Sequence, residues 1–217
     1  MSTPMNNPTR IVLIRHGQTV WNKGDRFRGQ IDLALDDTGE LQARAIARRV
    51  GSLPITHMYC SPLKRAAHTA RPLAELRRIH VHPLPAFNDI DYGEWQGLSP
   101  AEVAAKQPDL YRQWRTRPDT VTFPGGESLE VVRARAVAQL RDLVDACSGE
   151  TIAIVSHKVV CKLFILHVLG LDSSHFWCVE QDNGAINILE SQNGVLSAAL
   201  VNDTCHLNSL KTAKTIS

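Results

Sequence analysis

Two apolar runs that end in histidine constrain this chain most. Ile11-Val12-Leu13-Ile14 leads directly into Arg15-His16-Gly17, and the almost wholly apolar stretch 151 to 156 leads into His157. A short apolar run without alternation suits a strand buried on both faces, which is the condition of a central parallel strand. Helical patterns separate such runs along the chain. It therefore reads as an α/β domain, a three-layer α/β/α arrangement around a mainly parallel central sheet. His16 and His157 then stand at the carboxyl ends of their strands, where open α/β sheets bind ligands. A histidine held neutral and oriented there serves as a covalent nucleophile, and Arg15 beside it offers a planar fork of donors for phosphoryl oxygens.

Between the two histidines the periodicity sets the frame. Ala43, Ile46, Ala47 and Val50 repeat at helical spacing, which predicts an amphipathic helix over about 39 to 50 that starts near Asp36 or Thr38 and ends at Gly51. Residues 55 to 60 read as a strand, and Ser61-Pro62 turns into a helix over 63 to 78, interrupted or bent near Pro72, with Arg65 in its first turn. A short strand over 80 to 84 and a glycine-rich loop precede small charged helices at about 99 to 117, within an expected lid insertion over about 99 to 123. Leu129, Val132, Ala136, Leu140 and Leu143 form the stripe of a further helix. A buried helix over 159 to 169 and two strands, about 184 to 190 and 195 to 201, complete a single domain over residues 1 to 217, with a flexible tail from about 206.

Composition removes several functions. With 217 residues, 43% of them hydrophobic, and a net charge of +2, the chain has material for one core and lacks the field of a dedicated nucleic-acid or polybasic membrane binder. No run approaches the roughly 20 apolar residues of a spanning helix, and residues 1 to 10 lack a signal-type apolar region, so the expected location is cytoplasmic. The five cysteines are odd in number and widely spaced, which argues against disulfide frameworks and zinc knuckles. His80 and His82 share one face of a strand without a third ligand and read as exposed histidines, so no metal site is expected. Tyr111-Arg112-Gln113-Trp114-Arg115 is too short for a nucleic-acid surface and reads as a lid face leaning over the pocket.

The motifs Leu13-Ile14-Arg15-His16-Gly17-Gln18-Thr19 with Trp21-Asn22, Gly29-Gln30-Ile31-Asp32, Ser61-Pro62-Leu63-Lys64-Arg65-Ala66, Asp91-Tyr92-Gly93-Glu94-Trp95-Gln96-Gly97, Gly125-Gly126-Glu127-Ser128 and Val155-Ser156-His157 run through most of the chain. Together they resemble the histidine phosphatase superfamily, in the branch that holds cofactor-dependent phosphoglycerate mutase and the α-ribazole phosphatase-like enzymes. The resemblance implies a phosphoglycerate mutase-like fold, with His16 accepting the phosphoryl group and Arg15, Arg65 and His157 forming the phosphate pocket. It further implies that Asn22, and less directly Thr19 and Gln18, contribute hydrogen bonds to substrate, and that no cofactor is needed. The partner it implies is a small phosphorylated metabolite. A homodimer is common among such relatives, and the exposed sheet edge of the last strands suits one.

The resemblance aligns Asp89 with the family's general acid, commonly a glutamate, although some branches use aspartate. Asp91 and Glu94 in the same loop are the alternatives for that acid, and Glu94 otherwise enters as a substrate-side carboxylate. Two further departures are Ala34, where proline is frequent, and Lys158, where glycine often follows the second histidine. Lys158 either narrows the pocket and adds charge beside the phosphate or points along its helix into solvent. Three functions stay open on these residues: a metal-independent phosphatase of small phosphomonoesters, a phosphoglycerate-type mutase, for which residues 98 to 124 are short, and a non-catalytic phosphate-binding or interaction domain.

Overall fold

The computed structural model describes residues 7–24 and 26–212. Its six-stranded sheet has the order β3-β2-β4-β1-β5-β6, built from β1 Thr9–Arg15, β2 Ile55–Cys60, β3 Val81–Pro83, β4 Thr151–Ser156, β5 Ile186–Gln192 and β6 Val195–Asp203. The pairs β1–β4, β2–β4 and β2–β3 are parallel, while β5 and β6 join antiparallel beyond β1. The expected mainly parallel α/β sheet is therefore the one observed. The helices are α1 Val20–Lys23, α2 Asp37–Val50, α3 Lys64–Arg77, α4 Pro100–Lys106, α5 Pro108–Thr116, α6 Leu129–Ala146, α7 Lys158–Val168 and α8 Asn208–Thr212.

The two apolar runs became the two central strands. Successive side chains of a strand point to opposite faces, so each run feeds two cores. Ile11, Leu13, Ile152 and Ile154 pack with α6 and α7. Val12, Ile14, Ala153 and Val155 pack with α2 and α3 on the other side. This is why neither run alternates with polar residues. Helix α7 carries a charge into its buried stretch: Lys162 is 0% exposed, and its Nζ donates to the Phe176 carbonyl at 3.1 Å. Burial pushes this ammonium down to about 8.

The helix ends follow their caps. Asp36 accepts from the Gly39 amide at 2.9 Å to start α2, and the Ser128 hydroxyl accepts from the Val131 amide to start α6. Helix α3 differs from the expectation, for it continues through Pro72. Proline removes one hydrogen bond, but Ala66, Ala70 and Leu73 are fully buried against the sheet, and that packing holds the turn. After β6, Cys205–Leu207 forms a 3₁₀ turn whose Leu207 is buried, and α8 follows it; residues 213–217 of the expected tail lie outside the described residues. His80 and His82 are exposed, with ring centroids 4.8 Å apart.

The loop after β1 is held by a close glycine contact. A Cβ placed on Gly39 would stand 2.1 Å from the Gln18 carbonyl oxygen, and one on Gly17 would stand 2.7 Å from the Gly39 carbonyl oxygen. The first turn of α2 thus lies directly on the backbone that follows His16. We predict that Gly39→Ala pushes this loop outward, destabilises the protein by about 1–3 kcal/mol and lowers activity with it. Urea unfolding checks the prediction, and an unchanged midpoint would contradict the contact.

Candidate active site

Four chain segments meet at the carboxyl end of the sheet. The His16 amide donates to the Ser156 carbonyl at 2.9 Å and the Ser61 amide to the Val155 carbonyl at 3.0 Å, so the parallel ladders continue past the strand ends and set β1, β2 and β4 side by side. Arg15 and His16 therefore leave β1 next to His157 leaving β4, with Arg65 in the first turn of α3. The fourth segment carries Asp89. It is tied down by Ser156 Oγ donating to the Phe87 carbonyl and by Ser61 Oγ donating to Asn88 Oδ1, both at 2.8 Å.

The two histidines are held in opposite tautomers. His16 Nδ1 lies 2.6 Å from the Gly17 carbonyl. A carbonyl only accepts, so Nδ1 carries the proton and Nε2 keeps its lone pair. His157 Nδ1 faces Arg65 Nε at 3.1 Å. A guanidinium only donates, so here Nδ1 carries the lone pair and Nε2 the proton. Both Nε2 atoms are buried without a partner, and the rings lie 5.2 Å apart. Burial, reinforced by Arg65, holds both imidazoles well below their usual titration range, and so both are neutral at neutral pH. The result is one nucleophilic nitrogen beside one hydrogen-bond donor.

Arg65 is completely buried and organises the rest. Beyond His157, its Nη1 donates to the Ile31 carbonyl at 2.9 Å, and its Nη2 donates to the Gly29 carbonyl at 2.7 Å and to Asp89 Oδ2 at 3.3 Å. One Nη1 hydrogen remains beyond these bonds. Burial raises the Asp89 carboxyl, and this outweighs the opposing pull of Arg65 and Arg28. The Asp89 loop is clamped by a residue that the sequence pattern did not reveal. Arg135 on α6 donates to the Ala86, Asn88 and Asp89 carbonyls at 2.7, 2.9 and 3.1 Å and makes two bonds of 3.0 Å to the Glu127 carboxylate. Glu127 in turn accepts from the Asp91 amide at 2.9 Å.

In front of this layer is a cavity of about 460 Å³ lined by Arg15, Asp89 and Asn22 among others. Arg15 Nη1 donates to the Gln181 carbonyl, while its Nε is buried without a partner, and burial together with Arg28 lowers its guanidinium to about 10. Helix α5, within the segment expected as a lid, supplies Tyr111, Trp114 and Arg115 to the wall, and Lys158 faces the cavity as well. Thr19 is buried and shares Asn22 Oδ1 through its amide and hydroxyl, so it orients Asn22. Gln18 is not brought in, since its side-chain Nε2 donates to Asp36 Oδ2. Glu94 is exposed and accepts from Gln107 Nε2, away from the cavity. Sequence reasoning also missed Arg28 and Asn183, which line the cavity; Arg28 adjoins the quoted Gly29 motif, and that adjacency was the available signal. Cys161 is buried, and burial raises its thiol, so it offers no competing thiolate.

A paired-histidine, arginine-rich site at the carboxyl end of such a sheet has the chemistry that phosphoryl transfer needs. The chain belongs to the histidine phosphatase superfamily (branch 1), whose family model matches residues 11–204. It is 33% identical over 201 residues to phosphoserine phosphatase 1 of Hydrogenobacter thermophilus, covering 91% of this chain and 94% of that one. It is 31% identical to the metal-independent phosphoserine phosphatase of Arabidopsis thaliana, covering 93% and 84% of the two chains. Among solved structures it superposes on Bacillus stearothermophilus YhfR with a TM-score of 0.88 at 27% identity, covering 92% of this chain and 100% of that one. The expected enzyme class, a phosphoric monoester hydrolase, agrees with this membership.

Neutral buried histidines make stability depend on pH. The unfolded chain takes up protons near pH 6.5 and the folded chain does so only well below, so stability falls as pH drops below about 6.5, by up to about 1.4 kcal/mol per pH unit for each histidine. His157→Gln should flatten the slope of urea midpoint against pH between 7 and 5. Parallel slopes in both proteins would show that His157 is not held neutral.

Proposed function

We propose that this chain hydrolyses small phosphomonoesters through a phosphohistidine on His16 without a metal ion. The observation that carries the reading is the pair of opposite tautomers: a lone pair on His16 Nε2 and an N–H on His157 Nε2, both buried and unpartnered. In the first step His16 Nε2 attacks phosphorus in line, the bond to the ester oxygen breaks, and Asp89 passes its proton to the leaving alkoxide. In the second, Asp89 as carboxylate takes a proton from water, whose oxygen attacks phosphorus and frees phosphate and His16. Arg15, the remaining Arg65 hydrogen and His157 hold the equatorial oxygens, where charge shifts in the transition state.

Arginines supply the charge that a metal supplies elsewhere, and one relative is named a metal-independent phosphatase. Asp89 is raised by burial, and an arriving phosphoryl dianion raises it further, which keeps the proton available. The cavity suits a small ester, and phosphoserine, named for two relatives, is the first substrate to try. Five unpaired cysteines favour a cytoplasmic location. The β6 edge, with Val195 and Val201 exposed, offers the surface for a homodimer, which light scattering reads directly.

Phosphate release from a panel of monoesters in EDTA tests the proposal. Release should persist in EDTA and vanish in His16→Ala. Asp89→Asn should slow phosphorylation of His16 by alkyl phosphates roughly 10²–10⁴-fold in single-turnover experiments yet spare that step with p-nitrophenyl phosphate, whose leaving group needs no proton, while the hydrolysis step, where Asp89 is the base, slows for both. Equal losses in the phosphorylation step on both substrates would remove Asp89 as the acid. Phosphoglycerate interconversion without release would replace the phosphatase with a mutase.

A further inference from the structure

The loop over 179 to 185, between the 3₁₀ turn Ser173–Cys178 and β5, supports the site from the side of β1. The Gly184 amide and Asn183 Nδ2 donate to the His16 carbonyl at 3.1 and 3.3 Å, and the Ala185 carbonyl accepts from the Arg15 amide at 3.0 Å. The Gln181 carbonyl accepts from Arg15 Nη1. Among the described residues it is the guanidinium's hydrogen-bond acceptor, so its position decides which way the rest of the fork points.

A buried amide pair holds that carbonyl. Gln181 is 1% exposed, and Asn187 on β5 is 0% exposed. Gln181 Nε2 donates to Asn187 Oδ1 at 2.8 Å, and Asn187 Nδ2 donates back to Gln181 Oε1 at 2.9 Å. Asn187 Nδ2 gives its other hydrogen to the Leu13 carbonyl at 3.1 Å, while Oδ1 accepts a second bond from the Asn202 amide at 2.8 Å. All four bonds of this side-chain amide are therefore made. A backbone carbonyl only accepts and a backbone N–H only donates, so Leu13 on β1 and Asn202 on β6 fix which way the Asn187 amide faces, and Gln181 must follow. Asn202 also grips the next residue of the loop: its Nδ2 donates to Asp182 Oδ2 at 3.2 Å, and its Oδ1 accepts from the Asp182 amide at 2.8 Å.

A buried amide costs free energy unless its bonds are made, and an apolar pair would pack between the same strands without that demand. What the amides add is a directed bond between fixed neighbours. The residue so fixed is the one whose carbonyl Arg15 uses. We propose that Asn187 and Gln181 are positioning residues for Arg15, holding the Gln181 backbone so that the guanidinium presents its unpartnered Nε side to the phosphoryl oxygens. This rests on the phosphatase reading above, in which Arg15 binds those oxygens.

A double-mutant cycle with Arg15→Ala tests it. Gln181→Met is the milder variant, because it leaves Asn187 its bonds to Leu13 and Asn202, whereas Asn187→Leu removes all of them. Release of p-nitrophenol from p-nitrophenyl phosphate gives kcat/KM, and calorimetry gives the dissociation constant of inorganic phosphate, which needs no turnover. Gln181→Met should lower kcat/KM and weaken phosphate binding about tenfold each, the size of one charge-assisted hydrogen bond, and Asn187→Leu should do so at least as strongly. In Arg15→Ala protein the Gln181→Met change should cost less than about twofold. A loss of equal size in both backgrounds would show that the pair supports the fold or His16 and not Arg15, and would overturn the proposal while the phosphatase stands. Unchanged kinetics and phosphate binding in Gln181→Met would overturn it too. Absence of His16-dependent release from the unaltered protein overturns the phosphatase reading and this proposal together.

Discussion

The contact between Arg65 Nε and His157 Nδ1, 3.1 Å long and fully buried, is the constraint on which the site depends. A buried guanidinium is costly unless its donors are satisfied, and Arg65 satisfies them with one histidine, one carboxylate and two loop carbonyls. Each partner is thereby placed. His157 is left with its proton on the pocket side, the 29–31 loop is drawn against α3, and Asp89 is kept within reach of both. A lysine would carry the charge but not the fork, so it would hold one of these groups and release the others.

The same logic runs through the pocket, where donors and acceptors that cannot change sign decide the state of groups that can. The Gly17 carbonyl leaves His16 with its lone pair at Nε2, while Arg65 leaves His157 with its proton there. Burial keeps both neutral and raises Asp89 against its arginine neighbours. Asp89 is one methylene shorter than glutamate, and the clamp of Arg135 and Glu127 fixes the backbone of the loop that carries it. At Gly93, with φ +52, a Cβ would stand 2.1 Å from the Pro124 carbonyl oxygen, so the loop and the Gly125-Gly126 turn meet backbone to backbone.

Features decided locally were legible in the sequence. The unalternating runs ending at His16 and His157 announced central strands, and Asp36, Gly51 and Ser61-Pro62 marked helix ends, because burial and capping act over a few residues. Asp89 entered only through the family resemblance, which aligns it with a glutamate. Contacts across the fold were hidden: Arg135 reaches carbonyls 46 to 49 positions away, and nothing in its own helix distinguishes it from a solvated arginine. Pro72 suggested a break that packing overrode, and Lys162 sat unnoticed in an apolar helix because its partner is a carbonyl on another segment. Gln18 and Glu94 lie in the right motifs but turn to Asp36 and Gln107.

The central claim is that His16 attacks through Nε2 because Nδ1 is committed to the Gly17 carbonyl. Rapid acid-free quenching during turnover, followed by peptide mapping and NMR assignment of the phosphorylated nitrogen, tests it most directly. The account predicts phosphate on Nε2 of His16. Phosphate on Nδ1, on His157 or on no histidine would contradict it.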